Sequence, residues 1–196
     1  MERMSLENGR KLFHLTLGIF ITALLYFDII DVWIILPITL AGFLVSAIKR
    51  RKRMPITEWF LRRFEREENI ATMPGKGALY FFVGLLLVLA LFPKDVALAS
   101  VIIFSIGDSI ATMVGMRVGR IKHPLSSTKF LEGSAAGFVW ALLGALLFVP
   151  PLEALAASFF AMAVEGIDFI KGRRVEDNIT VPLVAGVTIM IMRMLL

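Results

Sequence analysis

The chain has 196 residues, a hydrophobic fraction of 58% and a mean hydropathy of +0.80, far above a soluble domain and carried by apolar runs of membrane-spanning length. The absence of cysteine excludes disulfides, thiolate metal sites and thiol catalysis, and two histidines are too few for an all-imidazole zinc site. A net charge of +5 would suggest nucleic acid in a soluble protein, but here the distribution of that charge points to membrane topology, and no nucleic acid is expected.

The expected fold is all-α: a polytopic helix bundle of about seven transmembrane helices in a single transmembrane catalytic domain, residues 1–196. The first apolar run, about Lys11–Ile30, ends at Asp28 and Asp31 with no small-residue cleavage site, so it reads as an uncleaved span. The second covers about Val32–Ile48, with Pro37 as a kink. After the basic run Lys49–Arg53, Pro55 opens an amphipathic segment reaching Asn69. Trp59, Phe60 and Phe64 mark one side and Glu58, Arg62, Arg63, Glu65 and Arg66 the other, the pattern of an interfacial helix. Spans three to seven follow at about Ala78–Phe92, Val96–Met116, Gly133–Val149, Leu152–Ile167 and Ile179–Leu196. Asp95 and Glu153 fall in the turns and read as solvated.

Of the 21 Lys and Arg residues, 19 lie at the N-terminus or in the connections after spans two, four and six, the exceptions being Lys94 and Arg193. Excess Lys/Arg in short loops marks the cytoplasmic side, so the N-terminus and these connections are expected there.

That topology turns the N-terminal ends of the odd spans toward the cytoplasm, and helix N-termini favour anions. Span one opens with Arg10, Lys11 and His14, and span three with Gly75-Lys76-Gly77, whose glycines let backbone N–H groups approach a ligand. Span five opens with Lys129-Phe-Leu-Glu132-Gly133-Ser134, and span seven with Glu176-Asp177-Asn178. The even spans add carboxylates at the same end: Asp108, Glu165 and Asp168. A carboxylate inside a membrane helix costs roughly 2.5–3.5 kcal/mol on insertion scales, which makes Asp108 the central candidate. Basic groups at helix ends suit a polyphosphate, and carboxylates suit Mg²⁺. Ala111, Gly115 and Gly119 recur every four residues, which also suits a close-packed helix seam.

At these residues the chain resembles the CTP-dependent polyprenol kinase family, which includes dolichol kinase, phytol kinase and the fungal-type CTP-dependent diacylglycerol kinase. The family's basic pair and histidine match Arg10, Lys11 and His14. Its Gly-Asp-x-x-Ala-x-x-x-Gly-x-x-x-Gly run matches Gly107, Asp108, Ala111, Gly115 and Gly119. Lys129, Glu132, Gly133 and Ser134 follow, then Glu176, Asp177, Asn178 and Pro182. Phe130 stands where the family carries a hydroxyl.

The resemblance implies transfer of the terminal phosphate of CTP to a long-chain lipid alcohol at the cytoplasmic membrane face, with Mg²⁺, and leaves a homo-oligomer open. In that reading Arg10, Lys11, His14 and Lys129 bind phosphate with Gly107, Gly115, Gly119, Gly133 and Ser134. Glu132, Asp177 and Asn178 hold the metal, and Asp108 ligates it or takes the proton of the attacking hydroxyl. The interfacial helix lies where a lipid tail enters. The alternatives are a CDP-lipid synthase-like cytidylyltransferase, which shares a Lys-x-x-Glu-Gly stretch, and, further off, a carrier built around Asp108 and Glu165.

Overall fold

The computed structural model describes residues 2–49, 55–65, 67–167, 169–170, 173–174 and 176–196. The expected roles of Arg50–Arg53 and Asp168 therefore lie outside the described residues. The described chain forms α1 (Glu2–Tyr26), α2 (Val32–Lys49), α3 (Pro55–Phe64), α4 (Glu67–Thr72), α5 (Lys76–Leu91), α6 (Lys94–Val118), α7 (Leu131–Ala145), α8 (Pro151–Glu165) and α9 (Asp177–Leu195). Between α8 and α9 a minimal antiparallel pair, β1 (Phe169–Ile170) and β2 (Arg173–Arg174), joins Phe169 to Arg174 and Ile170 to Arg173, a small departure from an all-α chain.

The punctuation residues set the boundaries. Asp31 accepts the N–H groups of Trp33 and Ile34 at 3.0 and 3.1 Å and so starts α2. Gly75, at φ +79°, takes the left-handed turn that lets α5 begin, and Pro151 sits in the first turn of α8. The expected interfacial helix is broken in two around residue 65, where Glu65 turns to accept the N–H of Gly77 at 3.1 Å.

Helix α6 is the axis. Every residue from Val96 to Ser105 is buried, and α1, α5, α7, α8 and α9 all pack on it. The recurring small residues are a backbone seam: a Cβ at Gly133 would lie 2.3 Å from the Ala111 carbonyl, and one at Gly137 would lie 2.6 Å from that of Gly107. Helix α2 packs on α5 and α3 on α1, at the periphery. The outward face of α2 carries exposed Trp33, Leu40 and Leu44, an apolar surface suited to lipid.

Three described helices, α2, α6 and α9, are long and apolar enough to cross a membrane, against the seven spans expected. Helices α7 and α8, at 15 residues each, reach about 22 Å, short of the ~30 Å hydrocarbon core.

Charged groups gather at the two ends of α6. At its start, Arg193 pairs with Asp95 at 2.5 Å and with Glu153 at 3.1 Å, and Lys94 pairs with Asp28 at 2.6 Å. Glu153, expected in a solvated turn, is instead buried, because Arg193 reaches back to it from the end of α9. Asp108 lies about 21 Å further along the helix, near the other end.

Candidate active site

Four helices and one connection deliver the site. Asp108, on α6, is 4% exposed and accepts from the Lys11 ammonium of α1 at 2.5 Å. A buried charge is tolerated only when paired, and Lys11 supplies the pairing across 97 residues of sequence. Glu165 is the last residue of α8 and is 2% exposed; Asp177 is the first of α9 and half-buried. One carboxylate oxygen from each of Asp108, Glu165 and Asp177 lies within 4.8 Å of the others. Lys129 enters from the α6–α7 connection, 2.9 Å from Glu165 Oε1 and 3.0 Å from Asp177 Oδ2, and it also donates to the Glu165 carbonyl. Burial disfavours the charge on Lys129, but Glu165 and Asp177, with Asp108 behind them, outweigh it and hold the ammonium above the usual lysine range.

The loop that presents Lys129 is built by its own hydrogen bonds. Ser126 Oγ accepts the N–H groups of Thr128 and Lys129 at 3.0 and 2.8 Å, and the His123 N–H donates to the Lys129 carbonyl at 3.0 Å. Glu132 accepts the N–H groups of Arg120 and Ile121 at 3.0 and 3.1 Å and ties down the loop's other strand. Phe130 has a structural use as well. Its ring lies where a Gly119 side chain would be, and the Lys122 ammonium sits 4.0 Å over it.

The residues anticipated from the sequence therefore divide. Asp108, Asp177, Lys129 and Lys11 meet. Glu132 does not join them; it is spent on the loop backbone. Arg10 pairs with Glu7 at 2.5 Å, and His14 is half-buried, edge-on to Phe81 and Phe104 at 5.0 and 4.7 Å. Gly107, Gly115 and Gly133 serve helix contact, Gly119 lies against the Phe130 ring, and Ser134 Oγ donates to the Phe130 carbonyl at 3.4 Å at the start of its own helix. The Lys76 and Gly77 amides of this stretch are engaged: Lys76 N–H donates to Met73 at 3.1 Å and Gly77 N–H to Glu65, while the Lys76 side chain pairs with Glu176. Asn178 is half-buried beside Asp177 and turns its backbone carbonyl against Gly84 of α5. Glu165, absent from the anticipated metal set, is at the centre of the cluster. The signal for it was the one that marked Asp108, a carboxylate at the polar end of an apolar run.

The donor set suits a hard cation. It is all carboxylate oxygen, Glu165 Oε2 is buried without a hydrogen-bond partner, and three carboxylates face two ammonium groups, Lys11 and Lys129.

No family model matches the chain and no solved structure matches it. Among curated proteins, the chain is 28% identical to an uncharacterized protein of Methanocaldococcus jannaschii, over 92% of this chain and 91% of that one. It is 27% identical to the CTP-dependent diacylglycerol kinase 1 of Eremothecium gossypii, over 92% of this chain and 65% of that protein. It is 33% identical to a probable chloroplastic phytol kinase of Triticum aestivum, over 51% of this chain and 30% of that protein.

Proposed function

We propose, on the premise that the chain belongs to the family of CTP-dependent lipid kinases, that it is a phosphotransferase moving the terminal phosphate of CTP to the hydroxyl of a membrane lipid alcohol. The acceptor class is a long-chain isoprenoid alcohol or diacylglycerol, and the reaction face is the cytoplasmic one. The observation that carries the reading is the meeting of Asp108, Glu165 and Asp177 within 4.8 Å, with Lys129 among them, at one end of a membrane helix bundle.

Phosphoryl transfer asks a protein mainly to position its reactants and neutralise charge. The alcohol oxygen forms a bond to the terminal phosphorus, the bond from that phosphorus to its bridging oxygen breaks, and CDP leaves with the electron pair. Lys129 and Lys11 offer positive charge to phosphate oxygens. Asp108, Glu165 and Asp177 would hold Mg²⁺, which would supply charge neutralisation on the polyphosphate. Glu132 acts at one remove by fixing the loop that carries Lys129. The proton of the alcohol passes to a carboxylate of the cluster or to solvent. Deep burial on α6 keeps Asp108 in one orientation, and the bilayer beside it supplies the acceptor.

The test is purified protein with CTP labelled in its base or terminal phosphate, Mg²⁺ and a panel of lipid alcohols. Labelled lipid monophosphate and CDP are expected. Pyrophosphate and a CDP-lipid would overturn the kinase reading in favour of a cytidylyltransferase, and solute transport without nucleotide turnover would favour a carrier.

A further inference from the structure

A cleft of about 340 Å³ lies between α2, α3 and α5, within the ~300–1,000 Å³ range of small-molecule sites. Val45 lines it from α2, Leu61 from α3, and Ala78 and Leu79 from α5. Its polar side chains are already engaged. Ser46 Oγ donates to the Pro74 carbonyl at 2.7 Å, Lys49 pairs with Glu58 at 3.3 Å, and Thr57 has a partner of its own. What remains for an occupant is apolar surface, which recognises a hydrocarbon chain and not a headgroup.

Both walls lead to the candidate active site. At the start of α5, Gly75 of the cleft is followed by Lys76, which pairs with Glu176, the neighbour of Asp177. On α3, Leu61 precedes by one turn Phe64, whose ring packs 5.0 Å from that of Phe13, two residues from the Lys11 that holds Asp108. Glu65, at the end of α3, ties the two walls together through the Gly77 N–H. On the other side α2 presents exposed apolar residues outward, so the cleft borders the surface a bilayer would cover.

We infer that this cleft takes the hydrocarbon tail of the acceptor alcohol, the tail lying between α2, α3 and α5 while the hydroxyl reaches Asp108 and Asp177. The inference rests on the kinase reading and adds to it where the acceptor binds. The amphipathic α3 is then a wall of the tail site, and not only a surface anchor. The opposing interest of the cleft would be as a resting place for an ordinary phospholipid chain, which the experiment separates.

A long-chain alcohol bearing a diazirine on its tail is photolysed with the wild-type protein in nanodiscs, and labelled peptides are mapped. Labelling is expected on residues 42–49 and 74–79 and should fall when excess unlabelled alcohol competes. In Ala78→Phe and Val45→Trp, which fill the cleft, KM for the long-chain alcohol should rise about tenfold with KM for CTP unchanged, a change of the size a filled hydrocarbon pocket produces. Labelling elsewhere, equal displacement by phospholipid, or an unchanged alcohol KM in both variants would overturn the tail site. The kinase reading fails differently: wild-type protein would then transfer no phosphate from CTP to any alcohol, while competed labelling still reports on the cleft, with no variant needed.

Discussion

Asp108 is the residue on which the proposed chemistry turns, and the Lys11 beside it explains why it can be there. A lone carboxylate in an apolar helix is costly, but Lys11 meets it at 2.5 Å, and the Glu165 and Asp177 carboxylates that share its end of the bundle are themselves paired with Lys129. Asp108→Asn keeps the shape and a hydrogen-bond acceptor for Lys11 while removing charge. It should lower CTP turnover by roughly 10²–10³-fold, the scale of losing one electrostatic stabiliser, with the protein still inserted and monodisperse in size-exclusion chromatography. Normal turnover by that variant would sink the role given to α6. Glu165 and Glu132 make a second contrast. Glu165→Gln touches the oxygen cluster and should raise the Mg²⁺ concentration for half-maximal activity at least ~10-fold. Glu132→Gln, which alters only the hold on Arg120 and Ile121, should leave that concentration unchanged while loosening the loop of Lys129. A Mg²⁺ titration of the two variants decides it, and the reverse order would put Glu132 at the metal.

Between helices, the small residues carry the packing. Their four-residue spacing invited two readings, phosphate approach and helix seam, and the contacts supply the second: Gly133 lies against the Ala111 carbonyl and Gly107 against Met162. The identity of each neighbour sets the cost of adding a methyl group. At Gly133 the new Cβ would lie 2.3 Å from a backbone carbonyl, which cannot yield without separating α6 and α7. At Gly107 it would lie 2.6 Å from Met162 Sδ, part of a flexible side chain. Thermal unfolding in detergent should therefore show Gly133→Ala destabilised by about 1–3 kcal/mol and Gly107→Ala by less. Equal losses would mean that the seam is looser than described. The break between α3 and α4 belongs to the same scale. An amphipathic pattern can be read through residue 65, but it carries no sign that the Glu65 side chain is needed by Gly77 on another helix.

Across the whole molecule, the charges at opposite ends of α6 do different work. Arg193, Asp95 and Glu153 close one end, and the carboxylate cluster with Lys11 and Lys129 occupies the other. The two basic residues outside the expected cytoplasmic connections, Lys94 and Arg193, are both in ion pairs at the first of these ends. Because the native chain has no cysteine, single cysteines report orientation cleanly. Ser127→Cys, in the Lys129 loop, should react with an impermeant maleimide only from the cytoplasmic side of oriented vesicles, and Asp28→Cys only from the opposite side. Labelling of Ser127→Cys from outside would reverse the topology argued from the basic residues. The membrane character, the helix positions to within a few residues apart from the early start of α1 at Glu2, the candidacy of Asp108, Lys129 and Asp177 and the resemblance to lipid kinases were all legible in the chain alone. These depend on hydropathy, local spacing and residue type, which are properties of short stretches. The union of Glu165 with Asp108 and Asp177, the diversion of Glu132 to its own loop, the burial of Glu153 and the cleft between α2, α3 and α5 appear only once the helices are packed. Each depends on which side of a helix faces which neighbour, and that is set by contacts between residues tens of positions apart.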